Sequence, residues 1–211
     1  VTQAAGLSLK WFRDNLAEFY KEEAEKQGVD SYDLINQDVE NVPIGSRRLL
    51  YLPYLMGERT PHLNPNCRGV FFGLSAIHTK ADMLRAVMEG VSYSLSDCLD
   101  ILREMQVDVS EMMACGGGGK SKIWRQMLAD MYGCEVKTIK AQEGPALGVA
   151  ILAGVGAGIF NDVQSACRQF IAQETYCQPE PASKAYYEKG HALYKKLYVQ
   201  LKDCYEELAQ L

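Results

Sequence analysis

The densest chemical signal in the chain is the run Cys115-Gly116-Gly117-Gly118-Gly119-Lys120-Ser121. It joins a short apolar stretch, Met112 to Cys115, to a helical pattern that starts near Ser121. Consecutive glycines carry no Cβ and tolerate positive φ, so their backbone can lie against a flat or charged ligand. Free N–H groups at the start of the following helix favour an anion or a hydrogen-bond acceptor. The run therefore reads as a nucleotide clamp, set against the plainer reading of a turn in which Ser121 caps a helix. It is not a Walker loop, because Ala114 stands where that pattern needs glycine and no acidic strand end follows to hold magnesium.

Other reactive residue types are sparser. Asp82 and Glu89 lie seven residues apart on one helical face, a spacing that suits paired carboxylates or a helix tied to neighbouring loops. Arg59, in a loop bounded by prolines, either reaches a phosphate or pins that loop to Glu58 or another carboxylate. The seven cysteines, Cys67, Cys98, Cys115, Cys134, Cys167, Cys177 and Cys204, include no C-x-x-C pair. Only His62, His78 and His191 accompany them, so a zinc site is not expected, and a reducing, cytoplasmic setting is the simpler reading.

Composition narrows the class. Of 211 residues, 47% are hydrophobic and 23% charged, near the soluble globular average. A net charge of −5 and the lack of a basic block argue against nucleic acid as partner. Gly144 to Phe160 is uncharged and contains a G-x-x-x-G pair, Gly154 and Gly158, closed by Glu143 and Asp162. A spanning helix needs roughly 20 strongly apolar residues, so this Ala- and Gly-rich run reads as a buried helix of a globular domain, with no membrane partner.

The elements that must position these residues follow from periodicity. Helices are expected over Leu7 to Lys26, around Tyr32 to Gln37, from Lys80 to about Met105, from Ile123 to Met131, over Ala146 to Ile159 and over Asp162 to Ala172. A final helix carries the stripe Tyr187, His191, Tyr194, Tyr198, Leu201, Tyr205 and Leu208, which reads as packing. Strands are expected at Arg48 to Leu55, Gly69 to Leu74, Met112 to Cys115 and Glu135 to Ile139, with a Pro-rich loop at Gly57 to Arg68. Alternating strands and helices point to an α/β sheet with helices on its faces.

One longer pattern ties these pieces together. Gly69-Val70-Phe71-Phe72-Gly73-Leu74, a gap of seven residues, and Asp82-Met83-Leu84-Arg85-Ala86-Val87-Met88-Glu89 resemble the second signature of the FGGY carbohydrate kinases throughout. Leu52-Pro53-Tyr54-Leu55-Met56-Gly57-Glu58-Arg59-Thr60-Pro61-His62 resembles the loop of the family's xylulokinase branch. Gly116 to Gly118 with Ser121, Trp124, Gln126, Ala129-Asp130 and Gly133 is similar to its adenine-binding segment, and Glu143 to Ala150 to its late helix.

The resemblance implies an α/β, ribonuclease H-like domain of the actin and hexokinase type, the C-terminal nucleotide-binding domain over residues 1–211. It implies ATP or ADP with Mg2+ as cofactor. Gly117 and Ser121 match nucleotide-contacting positions, Gly116 and Gly118 shape the loop, and Gly6 and Lys10 match two further contacts, Lys10 being equally an ordinary solvated helix lysine. The family's general base and sugar pocket match nothing here, so the resemblance implies a fragment without its opening strands or N-terminal domain, with no catalytic residue and inactive alone. The implied acceptor is D-xylulose, with ribulose, gluconate, glycerol or a non-catalytic module as alternatives. The open sheet edge left by missing strands would favour a homodimer.

Overall fold

The computed structural model describes residues 2–139 and 144–211. Its axis is α4 (Lys80–Glu104), whose residues are buried on every face from Leu84 to Ser94. A helix enclosed on all sides belongs to the core rather than to a surface layer. Thr79 starts it with a capping box, in which the Thr79 hydroxyl accepts from the Asp82 N–H and the Asp82 carboxylate accepts from the Thr79 N–H at 2.8 Å. Burial raises the Asp82 carboxyl, but the Thr79 hydrogen bonds and the Arg47 guanidinium outweigh it and leave it below its ordinary value.

Three helices precede this axis: α1 (Ala5–Leu16), α2 (Phe19–Gln27) and α3 (Ser31–Glu40). The single helix expected over Leu7 to Lys26 is thus broken at Ala17, whose φ of −142° is not helical. The break lets Tyr20 turn inward to bond Asp38 of α3 while Leu16 and Phe19 stay exposed. A two-stranded antiparallel sheet follows, β1 (Leu50–Leu52) against β2 (Val70–Phe72), with Tyr51 opposite Phe71. Gly90 allows β1 to cross α4, because a Cβ there would collide with the Tyr51 carbonyl.

The second sheet runs β3-β4-β5. In it β3 (Glu111–Met113) is parallel to β4 (Glu135–Ile139), and β5 (Gln173–Cys177) is antiparallel to β4 with Cys177 opposite Val136. Between β3 and β4 lie α5 (Gly116–Lys120) and α6 (Lys122–Tyr132). Then come α7 (Gly144–Gly156), α8 (Val163–Phe170) and α9 (Pro181–Leu208). Strand β5 was not expected, and it shortens the helix read to Ala172. Pairing with β4 supplies its backbone partners, which a five-residue, largely polar segment does not advertise.

The expectation of a buried helix over the uncharged run is corrected. Val149 and Leu152 of α7 are 68% and 60% exposed, and α7 packs on α8 instead, with Phe160 against Gly154 and Phe170. Glu143, which closes that run in sequence, lies outside the described residues. The tyrosine stripe does pack: Tyr187, Tyr194, Tyr198 and Tyr205 of α9 are buried with Tyr54 and Tyr93. Among the described residues no helix is long and apolar enough to cross a membrane.

A buried ion pair locks α4 to its neighbours. Glu89 accepts from Arg85 Nε at 2.9 Å, from the Gly45 N–H at 2.9 Å, from the Ser46 hydroxyl at 2.9 Å and from the Tyr187 hydroxyl at 3.0 Å. Arg85 in turn donates to the carbonyls of Val42 at 2.9 Å and Val39 at 3.3 Å. Removing one partner of such a pair strands the other charge, at a cost of about 3–5 kcal/mol. Arg85→Met should therefore lower the unfolding free energy in urea by about that much, and Arg85→Met with Glu89→Leu should lose less than the single change. A double variant as unstable as the sum of its parts would contradict this reading.

Candidate functional site

The glycine run does not remain an open loop. Gly116 takes φ +78°, a conformation that glycine adopts without strain, and the next residues wind into the short helix α5. The helix expected to begin near Ser121 is α6, with Ser121 as its N-cap. The Ser121 Oγ accepts from the Trp124 N–H at 3.2 Å and donates to Asn36 Oδ1 at 2.8 Å. The plainer reading of Ser121 as a cap is realised, and the serine also ties α3 to the glycine turn. Arg125 reaches back from α6 to the carbonyls of Gly119 at 2.6 Å and Lys120 at 3.1 Å, neutralising the end of α5.

Two adjoining hollows meet at this turn, sharing Gly6, Gly117, Gly118 and Trp124. The larger, about 470 Å³, lies between α1, α3 and the turn, with Leu9, Tyr32, Asp33, Asn36, Lys120 and Ser121 on its wall. The smaller, about 370 Å³, runs beneath the turn toward β3 and is mainly apolar. Both volumes fall in the range of small-ligand sites. A Cβ at Gly6 or Gly117 would meet no protein atom within 4 Å, so the backbone there is open to a ligand. A Cβ at Gly118 would lie 3.5 Å from the Trp124 ring, and one at Gly119 only 2.8 Å from the Ala114 carbonyl. Gly119 is therefore needed for packing, whereas Gly117 is not.

Gly6, Gly117, Gly118 and Ser121 are thus brought together. Neither Gly116, which shapes the turn, nor Lys10, which is exposed one turn along α1 from Gly6, lines either hollow. Sequence reasoning missed the α3 wall and Arg125. Asn36 sits in a short polar helix with no motif, and Arg125 is set only by the return of α6 on α5. Arg13 lies over the Tyr32 ring at 4.6 Å and braces that wall from outside. Asp130 of the same segment faces away: it accepts from the Glu180 N–H at 2.8 Å and from Gln126 at 2.9 Å, and burial pushes its carboxyl up.

Among the described residues one group could converge on a cation, Asp97, Asp100 and His191. It lies between α4 and α9, away from the glycine turn. Asp100 is already paired with Lys195 at 2.9 Å and Arg103 at 3.6 Å, and Asp97 Oδ1 lies 2.7 Å from His191 Nε2.

Residues 1–157 match the FGGY family of carbohydrate kinases, C-terminal domain. The chain belongs to this family. It is 38% identical to the xylulose kinase of Staphylococcus epidermidis across 99% of its own length and 40% of that protein. It is 36% identical to the gluconokinase of Bacillus subtilis across 86% of its length and 36% of that protein. The chain thus spans about two fifths of these curated relatives. The solved xylulose kinase of Lactobacillus acidophilus superposes with a TM-score of 0.84 at 30% identity, over 98% of this chain and 40% of that one. A glycerol kinase from Plasmodium falciparum, solved with ADP, matches with a TM-score of 0.74 at 18% identity, a likeness that speaks for the fold alone. The fold of this FGGY domain is α/β and ribonuclease H-like, of the actin and hexokinase type.

The double role of Ser121 is testable. Ser121→Ala removes the cap and the Asn36 bond together, and should cost about 1 kcal/mol in urea unfolding. In the Asn36→Ala background, the same change should cost measurably less. Equal costs in both backgrounds would mean that the two residues are not coupled.

Proposed function

We propose that this chain is the nucleotide-binding part of an ATP-dependent sugar kinase that converts D-xylulose to D-xylulose 5-phosphate. The observation that carries the nucleotide assignment is the convergence of Gly6 with Gly117, Gly118 and Ser121 on one hollow. These segments are far apart in sequence, and their exposed backbone leaves space for a flat base. Trp124 backs the glycines, Asn36 and Asp33 offer polar groups at the edge, Lys120 offers positive charge for phosphates on the wall, and Lys10 adds a further charge along α1. Mg2+ would arrive with the phosphates, as that ion commonly binds through substrate oxygens and a few carboxylates. When bound, ATP supplies the phosphoryl group. This chain's own part is to hold and orient the nucleotide and exclude water from its base.

Sugar binding and deprotonation of the acceptor hydroxyl are assigned to a further domain, consistent with the share of the relatives that this chain spans. Phosphoryl transfer depends on positioning and charge stabilisation from both sides of the nucleotide. D-xylulose is preferred because xylulose kinases match at 37–38% identity over nearly the whole chain. Gluconate is the second reading, favoured by the gluconokinase match at 36%.

Gly117→Val places a branched side chain where the base is proposed to lie. It should weaken ATP binding, measured by calorimetry, at least about tenfold while leaving the fold intact, a change of about 1.4 kcal/mol. Unchanged affinity in the folded variant would refute the site. In the full-length gene product, kcat/KM should be highest for D-xylulose among D-xylulose, gluconate, L-ribulose and glycerol. A higher value for gluconate would reassign the substrate and leave the nucleotide site standing.

A further inference from the structure

Helix α1 carries Gly6 and Leu9 to the hollow, yet its own sequence does little to start it. The N-cap is Ala4, no side chain caps the first turn, and that turn has no acidic residue. Glu58, on the loop between β1 and β2, instead holds the two residues that lead into the helix. Its carboxylate is buried, with 4% of the residue exposed. Oε1 accepts from the Gln3 N–H at 2.9 Å and the Arg59 N–H at 2.7 Å. Oε2 accepts from the Thr2 hydroxyl at 2.8 Å and the Ser94 hydroxyl of α4 at 3.2 Å. All four donors are uncharged, and negative charge at a helix start complements the helix dipole.

The loop that holds Glu58 is itself fixed. Glu58 and Asn64 exchange backbone hydrogen bonds at 2.8 and 2.9 Å, and the Asn64 side chain donates to the Tyr198 hydroxyl of α9 at 3.3 Å. A continuous set of bonds therefore runs from α9 through Asn64 and Glu58 to the residues just before α1.

We propose that Glu58 is a positioning residue of the nucleotide site, fixing the start of α1 and with it the wall that Gly6 presents to the ligand. The proposal rests on the nucleotide reading of that hollow. It assigns Glu58 no contact with the nucleotide and no part in the chemistry.

The test combines ATP calorimetry with hydrogen–deuterium exchange on the same variants. Glu58→Ala should weaken ATP binding about tenfold, the scale expected when hydrogen bonds to a charged group are lost. It should also speed exchange of the first α1 amides while α6 keeps its protection. Glu58→Gln should recover most of the affinity, because the Thr2 and Ser94 hydroxyls can rotate to accept from the new amide. If Glu58→Ala does not fold, Ser94→Ala removes one donor and should still weaken ATP binding about two- to threefold, within the range for one hydrogen bond. Wild-type ATP affinity in a folded Glu58→Ala, or in Ser94→Ala should Glu58→Ala not fold, overturns the proposal. If wild-type protein binds no nucleotide, the functional reading fails instead. Exchange then decides the role of Glu58 alone, and unchanged α1 protection overturns it.

Discussion

The buried pair of Arg85 and Glu89 is the constraint on which the rest of the architecture depends. Two opposite charges at 2.9 Å inside a core are tolerable only when their remaining hydrogen-bonding capacity is filled. Filling it requires the loop at Gly45 and Ser46, the end of α3 at Val39, the turn after it at Val42, and Tyr187 of α9 to converge on one turn of α4. That convergence fixes α3, and α3 brings Asn36 to Ser121. A charge pair that lines neither hollow thus helps to set one wall of the larger one.

The glycine turn meets a different constraint. Its residues serve separate ends: Gly116 supplies a positive φ, Gly119 clears the Ala114 carbonyl, and Gly117 leaves space on the ligand side. Arg125 and Ser121 then hold the turn from α6, so a segment without side chains is kept in one conformation by its neighbours. Preorganisation of this kind limits the ordering cost of binding. It also explains why glycine is required at some of these positions by packing and is available at others for function.

Much of this was legible in the residues. The α4 pattern, the strand at Glu135 to Ile139 and the meeting of Gly6 with the glycine run all follow from periodicity and from motif resemblance, because each involves strong local preference or several constrained positions. What escaped were features set by tertiary contact. The break at Ala17 has no proline or glycine to announce it, and accompanies the turn of Tyr20 toward Asp38 of α3. Strand β5 exists because β4 offers an edge. The exposure of α7 could not be read from composition, since small apolar residues look alike whether covered or not. Glu58 and Asn36 are single polar residues whose partners lie 56 and 85 positions away.

The central claim is that one hollow, between the start of α1, the α3 wall and the glycine turn, takes the nucleotide. Hydrogen–deuterium exchange of the wild-type protein with and without saturating Mg-ATP tests it most directly. Slowed exchange confined to the start of α1, the turn from Cys115 to Ser121 and the facing side of α3 is the predicted result. Protection at α9 and the His191 region, with none at the glycine turn, would contradict it.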